Sequence, residues 1–264
     1  MKHTQYLFIP LLSTVLLAGC AESPTGRKQL KLFSESNLQK MGVDAFDEMK
    51  ESTKLSTNPK HLARANCVAN SITAKVGKEV FNGTWEVKVF DDEQVNAFAL
   101  PGGKIGIYTG LLKVAETNDQ LAAVVGHEVG HVIAEHGNER MSTSAVAQMG
   151  LQVADTVLTA NDVGGKAQWM SALGLGMQVG FTLPFSRTHE SEADLIGLEL
   201  MAKAGFNPKE AVQLWKNMDK AAGGKRPPEL LSTHPAPQTR IEDLQKNMQP
   251  VLKIYKSAPK NNCA

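Results

Sequence analysis

The sequence predicts an α+β fold that is mostly helical, with a small β-sheet. Long segments with apolar residues at helical spacing predict the helices, and three short segments of strand-like character predict the sheet. A third observation is the pentapeptide H-E-x-x-H at residues 127–131, which lies inside one of the helical segments. The length of 264 residues, 42% of them hydrophobic, suits one domain with a substantial core.

The N-terminal residues have the pattern of a secretion signal rather than of a folded element. A basic start at Met1–His3 precedes an apolar segment, Leu7–Leu17, which is short for a membrane span of about 20 residues. Leu17–Cys20 resembles a lipobox, the cleavage and acylation signal of bacterial lipoproteins. We therefore expect residues 1–19 to be a lipoprotein signal peptide and Cys20 to be lipidated. An ordinary signal peptide or a transmembrane anchor is the alternative.

The residues after the leader indicate where in the cell the protein is located. Residues 20–31 are predicted to form a lipid-anchored tether. Because Ala21 and Glu22 follow the cysteine, and not an aspartate, the resemblance to lipoprotein sorting in enteric bacteria favours the periplasmic face of the outer membrane. The 28 basic and 27 acidic residues become equal in number once Lys2 is removed with the leader. A neutral chain gives no reason to expect a nucleic acid as partner.

The first half of the chain is predicted to contain two helices followed by three strands. The helices cover residues 34–52 and 59–77, and Asn58-Pro59 is a typical start for the second. Alternating apolar residues predict the strands Trp85–Phe90, Val95–Leu100 and Lys104–Tyr108. Pro101–Gly103 predicts that a hairpin turn joins the last two strands.

The H-E-x-x-H segment lies in a helix with recognisable ends. Thr117 and Gln120 form a capping box at its start, and Gly137 is the predicted stop. Its apolar stripe consists of Leu121, Val124, Val125, Val129 and Val132. Gly126 and Gly130 weaken the helix propensity, which we attribute to the close approach of another backbone.

The spacing of the motif indicates a metal site. His127 and His131 are four residues apart and therefore project from one helix face. Two imidazoles so placed can bind one metal ion with the Glu128 carboxylate beside it, which is the arrangement of a zinc hydrolase. The alternative is a helix with two surface histidines and a solvated glutamate. A catalytic zinc site also requires a third protein ligand.

Glu190 is the best candidate for the third ligand. It lies near the start of a helix predicted from Arg187 to about Ala204 and ended by Gly205. Asp194 is four residues further on and shares the helix face of Glu190. One carboxylate can therefore bind zinc while the other accepts a hydrogen bond from a ligating histidine. The alternative is a solvated acidic helix start that the helix dipole favours.

Three motifs in this order resemble a known family. H-E-x-x-H, Ser186–Asp194 (S-R-x-x-E-x-E-A-D) and His234–Arg240 (H-P-x-x-x-x-R) are similar to the HtpX and CAAX-prenyl-protease family of zinc metallopeptidases. Pro24–Leu30 and Val95–Gly103 resemble in particular its bacterial lipoprotein members and mitochondrial inner-membrane relatives. The likeness covers nearly the whole mature chain. It implies a zincin-like (gluzincin) metallopeptidase domain that binds one Zn²⁺ per chain.

The resemblance also assigns roles to individual residues. It implies that the zinc ligands are His127, His131 and Glu190. Glu128 would be the general base. Asp194 would accept a hydrogen bond from a ligating histidine.

Two residues of the last motif are candidates for further roles at the metal. His234 is either a fourth zinc ligand that holds the enzyme off or a donor to the oxyanion, and an ordinary loop histidine is the third interpretation. Arg240 is a second candidate for contact with the oxyanion or with a carboxylate. The residues predicted to bind substrate by β-strand addition are Asn96, Ala97, Phe98 and Ala99.

The remaining segments receive simpler predictions. The peptidase domain is expected over 32–255, with a polar tail over 256–264 and no helical-repeat domain after the last motif. Residues 141–185 are apolar and rich in glycine and methionine. They are interpreted as a buried helical hairpin, a mobile lid or a membrane-facing surface. Cys67 and Cys263 would be able to pair in an oxidising periplasm, but the sequence does not decide whether they do.

These observations predict a zinc-dependent endopeptidase of the bacterial cell envelope. It would hydrolyse misfolded or damaged envelope proteins through a zinc-activated water, with Glu128 as base. Its expected partners are polypeptide substrates, the membrane through the lipid anchor, and the outer-membrane assembly machinery. The alternatives are a chaperone-like assembly factor whose zinc His234 keeps closed, and a metal lipoprotein that binds a partner. The presence of Glu128 favours the enzyme, because neither alternative needs a base.

Overall fold

A computed structural model describes residues 20–160, 185–222, 230, 234 and 238–263. The chain divides into two compact units, residues 1–34 with 135–183 and residues 35–134 with 184–264. The second unit contains every residue of the predicted metal site. The predicted peptidase domain, 32–255, therefore includes a segment that belongs to the first unit. The predicted signal peptide, 1–19, lies outside the described residues.

Helices dominate the described chain, in agreement with the α+β prediction. The strands are β1 (Cys20–Glu22), β2 (Lys28–Leu30), β3 (Glu86–Phe90), β4 (Ala97–Leu100) and β5 (Lys104–Tyr108). The helices are α1 (Glu35–Ser52), α2 (Pro59–Thr73), α3 (Thr109–Val114), α4 (Asn118–Ile133), α5 (His136–Ala160), α6 (Arg187–Lys203), α7 (Lys209–Ala222) and α8 (Gln238–Ser257). α2 ends at Thr73 rather than at residue 77, because hydrogen bonds of the 3₁₀ type tighten the chain at Lys75 and Val76.

In the first unit, the predicted tether is partly an ordered hairpin. β1 and β2 pair in antiparallel fashion, with Cys20 opposite Leu30. The Arg27 guanidinium donates to both carboxylate oxygens of Glu139 on α5, at 2.7 and 2.6 Å. The backbone N–H of Leu32 donates to Ser142 Oγ at 2.9 Å. These contacts attach the β1–β2 hairpin and the segment after it to the first turns of α5.

The second half of α5 is not buried. Met149, Val153 and Val157 follow each other at one-turn spacing and are 41, 59 and 52% exposed. The interpretation of residues 141–185 as a buried hairpin is therefore wrong for the part that is described, while residues 161–184 lie outside the described residues. None of the helices that the structure describes is both long enough and apolar enough to cross a membrane.

The second unit contains a three-stranded sheet in the order β3-β5-β4. β4 and β5 form the predicted antiparallel hairpin, and its turn places Gly102 and Gly103 at φ values of 85° and 70°. β4 starts at Ala97 rather than at Val95. β3 pairs with β5 in parallel fashion, which the sequence did not predict. The sheet packs with α2, α4 and α6 around one hydrophobic core.

A disulfide bond between Cys67 and Cys263 fixes the C-terminus to α2, with the two Cα atoms 5.7 Å apart. The same tail is held by two side-chain amides: Asn118 donates to Cys263 O at 3.1 Å, and Asn261 donates to Ala204 O at 3.4 Å. Within the predicted polar tail, residues 258–263 are held against the fold, because these contacts offset the cost of ordering them.

Removal of this disulfide is expected to destabilise the fold. The bond closes a loop with a sequence separation of 196 residues. The chain-entropy account assigns such a crosslink about 2–4 kcal/mol of stability. The Cys67→Ser, Cys263→Ser double variant should therefore unfold at a lower urea concentration while it still binds zinc. An unchanged midpoint, with two free thiols titrated in the wild type, would show that the bond is not formed.

Candidate metal centre

The helix that carries the motif begins as predicted but ends earlier. Thr117 Oγ1 accepts a hydrogen bond from the Gln120 backbone N–H at 3.2 Å, which confirms the N-cap, while the Gln120 side chain accepts from the Glu116 backbone N–H at 2.9 Å rather than from that of Thr117. α4 ends at Ile133, and Glu135 adopts a φ of 51°. The predicted stop at Gly137 is therefore wrong. The left-handed backbone that ends this segment is supplied by a glutamate, and Gly137 lies within α5.

α4 and α6 cross with their backbones in contact. A Cβ atom on Gly126 would lie 2.9 Å from Gly197 O, and one on Gly130 would lie 2.8 Å from Ala193 O. From the other side, a Cβ on Gly197 would lie 2.8 Å from the His127 backbone nitrogen. The predicted close approach of another backbone to the glycines of the motif helix is confirmed. It brings the His127–His131 face of α4 onto the acidic face of α6.

Four buried ligand atoms converge at this crossing, from His127, His131, Glu190 and His234. His127 Nε2 is 3.1 Å from His131 Nε2 and 3.3 Å from His234 Nδ1. Glu190 Oε1 is 2.9 Å from His234 Nδ1 and 3.4 Å from His131 Nε2. A tetrahedron with metal-to-nitrogen distances of about 2.0–2.1 Å has edges of roughly 3.3 Å. The spacing of the four atoms therefore fits one zinc ion.

The charges around the cluster also fit a divalent cation. Three buried carboxylates, Glu128, Glu190 and Asp194, face one buried guanidinium, Arg240. Burial and Arg240 oppose protonation of His127, but Asp194 and Glu190 accept hydrogen bonds from its ring and raise its pKa to about 9. The excess of negative charge thus favours a positive charge at the nitrogen cluster, and Zn²⁺ with neutral histidines would balance it.

Asp194 occupies the predicted position behind a ligating histidine. Its Oδ1 is 3.0 Å from His127 Nδ1, so that His127 Nε2 is directed toward the other ligand atoms. Arg240 holds this carboxylate with two hydrogen bonds, from Nε at 2.8 Å and from Nη2 at 2.6 Å. Burial opposes ionisation of Asp194, but Arg240 and His127 keep its pKa below the usual range.

Arg240 lies behind the ligands. Its Nη1 is 2.6 Å from Glu190 Oε2, and its guanidinium carbon lies 3.9 Å from the centre of the Trp215 ring. Of the two contacts predicted for Arg240, the structure contains the carboxylate contact. Sequence reasoning missed Trp215, because its place on the apolar face of α7 is that of an ordinary core residue.

Glu128 is buried beside the cluster without being part of it. Its Oε1 lies 3.7 Å from His234 Nε2 and has no hydrogen-bond partner among the described residues. Burial raises the pKa of this carboxyl, which makes it a better proton acceptor for a group that enters the site. A free carboxylate oxygen at this position is what a general base requires.

Phe185 is a second aromatic residue that sequence reasoning missed. Its ring stacks on the His234 ring at 5.1 Å with an angle of 22° between the planes, and it lies 4.1 Å from the His131 ring. The only signal in the sequence is its position directly before Ser186, the cap of α6.

The predicted substrate strand lies at an edge of the sheet, but only part of it is open. Within the described chain β4 pairs with β5 alone. Asn96 O accepts from Tyr108 N, so Asn96 and Phe98 direct their backbone groups toward β5, and Ala97 and Ala99 direct theirs to the open edge. The Phe98 side chain packs among aromatic rings of the core. Cys20, the predicted lipidation site, belongs to the other unit.

Comparison with known proteins identifies the family. Residues 55–248 match the model of peptidase family M48. The chain belongs to this family. The matched region contains the H-E-x-x-H helix, Glu190, His234 and Arg240. The prediction of a zinc metallopeptidase domain with one zinc site is therefore confirmed.

Several longer proteases are similar to this chain over part of their length. Metalloendopeptidase OMA1, mitochondrial, from Danio rerio is 33% identical over 248 residues, which are 88% of this chain and 51% of that protein. The mitochondrial metalloendopeptidase OMA1 of Arabidopsis thaliana is 34% identical over 237 residues, 89% of this chain and 47% of that protein. The beta-barrel assembly-enhancing protease of Escherichia coli is 30% identical over 160 residues, 59% of this chain and 32% of that protein. The chain spans about half the length of the OMA1 relatives.

A single methyl group at the helix crossing is expected to disturb the zinc site. Gly130→Ala places a Cβ against Ala193 O, so α6 must move. Overpacking of this kind costs about 1–3 kcal/mol. We expect lower stability to urea and weaker zinc affinity by about ten-fold or more, since Glu190 moves with α6. A competitive chelator titration measures the affinity.

Gly137→Ala is the matched control for this substitution. Gly137 is also helical, but no heavy atom lies within 4 Å of its would-be Cβ. The alanine should therefore stabilise the protein by about 0.5–1 kcal/mol and leave zinc affinity unchanged. Equal behaviour of the two variants would contradict the proposed importance of the crossing.

Proposed function

We propose that this protein is a zinc-dependent endopeptidase that His234 holds in a closed resting state. The observation that carries the proposal is the four-atom cluster with Glu128 beside it. His127, His131 and Glu190 would supply the three ligands of a catalytic zinc site, and His234 Nδ1 lies close enough to them to fill the position that such a site leaves open. Of the two active roles considered for His234, this geometry supports that of an inhibitory ligand.

Several residues of this chain have separate roles in the proposed hydrolysis of a peptide bond. Zinc, when bound by this donor set, supplies a Lewis acid that activates water for attack on a peptide carbonyl. Glu128 Oε1 accepts the proton of that water and delivers it to the departing amine. Asp194 fixes the orientation of His127, and Arg240 neutralises Asp194 and Glu190 from behind. Arg240 therefore acts as a positioning residue in this mechanism.

The open edge of β4 is the proposed site for the substrate backbone. An extended peptide can add to a sheet edge through main-chain hydrogen bonds. The carbonyl of Val95 faces the same edge as those of Ala97 and Ala99, and it accepts a hydrogen bond from Leu230 N at 3.2 Å. Leu230 O in turn accepts from His234 N at 2.8 Å. A substrate strand at this edge would compete with Leu230 and so loosen His234.

A chaperone-like assembly factor is the second candidate, because a permanently closed site would have no activity. The structure favours this candidate only through the same contact of His234 Nδ1 with the cluster. The buried Oε1 of Glu128, which has no hydrogen-bond partner in the described part of the chain, favours the enzyme, since a closed zinc site has no use for a base. A substitution that removes the Glu128 carboxylate therefore distinguishes the enzyme from the assembly factor.

Cleavage of unfolded casein by the zinc-loaded protein tests the proposed activity. Wild type, Glu128→Gln and His234→Ala are compared at equal zinc content. We expect Glu128→Gln to lose at least a factor of about 100, the lower range for general-base catalysis. His234→Ala should cleave faster than wild type because its fourth position is open.

The outcomes of this assay distinguish the candidates. Activity that survives in Glu128→Gln would rule out Glu128 as the base. Slower cleavage by His234→Ala would assign His234 to the oxyanion rather than to closure. Absence of cleavage in wild type and in His234→Ala, with one zinc bound to each, would favour the assembly factor.

We further propose that the protein is anchored by lipid at Cys20 in the bacterial envelope and acts on misfolded or damaged envelope proteins. The Cys67–Cys263 disulfide supports an oxidising compartment. The name of the E. coli relative, a beta-barrel assembly-enhancing protease, supports the outer-membrane assembly machinery as a partner. The exposed apolar side chains of α5, in the same unit as Cys20, support a position close to a membrane.

Fractionation of cells tests the anchor. We expect the wild type in the outer-membrane fraction of an enteric host and Cys20→Ser outside that fraction, because it lacks the acyl chains. Ala21→Asp is the matched variant: it keeps the acylated cysteine, and it should move the protein to the inner membrane. Membrane association of Cys20→Ser equal to that of wild type would contradict lipid anchoring at this residue.

A further inference from the structure

Phe185 is an aromatic side chain at the metal centre to which the catalytic scheme assigns no step. Its ring lies almost parallel to the ring of His234, with the centres 5.1 Å apart, and it also covers the ring of His131 at 4.1 Å. Phe185 therefore contacts His131, a ligand of the proposed catalytic site, and His234, the residue proposed to close that site. Its backbone precedes Ser186, whose side chain caps α6, the helix of Glu190.

The contacts of His234 explain why such a ring matters. The imidazole meets the cluster through Nδ1, while Nε2 points toward Glu128 at 3.7 Å, beyond hydrogen-bond distance. The plane of the ring is therefore not fixed by a hydrogen bond to Glu128. The ring of Phe185 lies nearly parallel to this plane and supports it from one side, in addition to the contacts of Nδ1 with His127 and Glu190.

We propose that Phe185 is a positioning residue that holds the His234 imidazole in the fourth ligand position of the metal centre. This inference rests on the proposed function. It makes Phe185 a latch, a side chain that keeps the proposed metal centre in its closed state. Stacking keeps the His234 ring on the cluster, and loss of the aromatic face releases it. His127 and Glu190 make their contacts to the cluster without Phe185, whereas His131 lies against the same ring as His234.

A double-mutant cycle between Phe185 and His234 tests this role. Phe185→Leu keeps an apolar side chain but removes the ring face, and Phe185→Tyr keeps the face. Both are made in the wild type and in His234→Ala, and all proteins carry the full chain. The readouts are the rate of zinc loss to a chelator, the visible spectrum of the Co²⁺-substituted protein, and casein cleavage.

Phe185→Leu is expected to release zinc and to cleave casein about two- to twelve-fold faster than wild type, the factor that corresponds to the energy of one aromatic pair. Its Co²⁺ spectrum should shift toward that of His234→Ala. Phe185→Tyr should restore the wild-type values. In the His234→Ala background, Phe185→Leu should have a smaller effect on all three readouts, because only its contact with the His131 ring remains.

Several outcomes would overturn the inference. Equal effects of Phe185→Leu in the two backgrounds would show that Phe185 acts independently of His234. Slower cleavage with a raised KM in both would make it part of a substrate pocket. An unchanged Co²⁺ spectrum would show that it does not hold the ligand. If instead His234→Ala itself leaves the spectrum and the zinc-loss rate unchanged, the proposed closed site fails, and with it the basis for a latch.

Discussion

The metal centre depends on one constraint, the backbone contact between α4 and α6. Gly126, Gly130 and Gly197 remove the side chains that would keep the two helices apart. Only at this separation do His131 Nε2 and Glu190 Oε1 come within 3.4 Å of each other. The low helix propensity of three glycines, roughly 1 kcal/mol each relative to alanine, is the energetic cost of a short interhelical distance. The ligand set is thus assembled by the packing of rigid elements rather than by loops.

The buried carboxylates near the cluster carry an excess of negative charge, which a bound metal ion would neutralise. Glu128, Glu190 and Asp194 are all less than a tenth exposed, and Arg240 alone compensates them among the described charged groups that contact the cluster. An isolated buried carboxylate is unstable in a protein interior unless it is paired. Trp215 covers the far face of the guanidinium and excludes water from it. Zinc binding is therefore coupled to the stability of the second unit, since it supplies the missing positive charge.

The local features of the site were predictable from the sequence, and the long-range ones were not. Helical spacing alone placed His127 beside His131, and the helix signals found the N-cap at Thr117 but not the end of that helix. The sequence made Glu190 the best candidate for the third ligand, and the family resemblance then assigned the metal to Glu190 and the hydrogen bond to Asp194, which share one helix face. Parallel pairing of β3 with β5, the stacking of Phe185 and the contact of Trp215 with Arg240 depend on how distant elements pack, which no local period encodes. Glu135 adopts the left-handed backbone conformation after the motif helix, and this was not predictable because that conformation usually favours glycine.

Two of the contacts that hold His234 are of the size that a substrate can overcome. They are the hydrogen bond to Leu230 O, worth about 0.5–1.5 kcal/mol, and the aromatic pair with Phe185, which is of similar size. The approach of Nδ1 to Glu190 and His127 comes in addition. A peptide that adds to the open edge of β4 would gain several main-chain hydrogen bonds and would compete for Val95 O, the acceptor that holds Leu230. A folded protein cannot present a free extended strand, whereas an unfolded one can. In the proposed mechanism the closed site would yield to unfolded chains in preference to folded ones, because opening and substrate binding would use the same edge of the sheet.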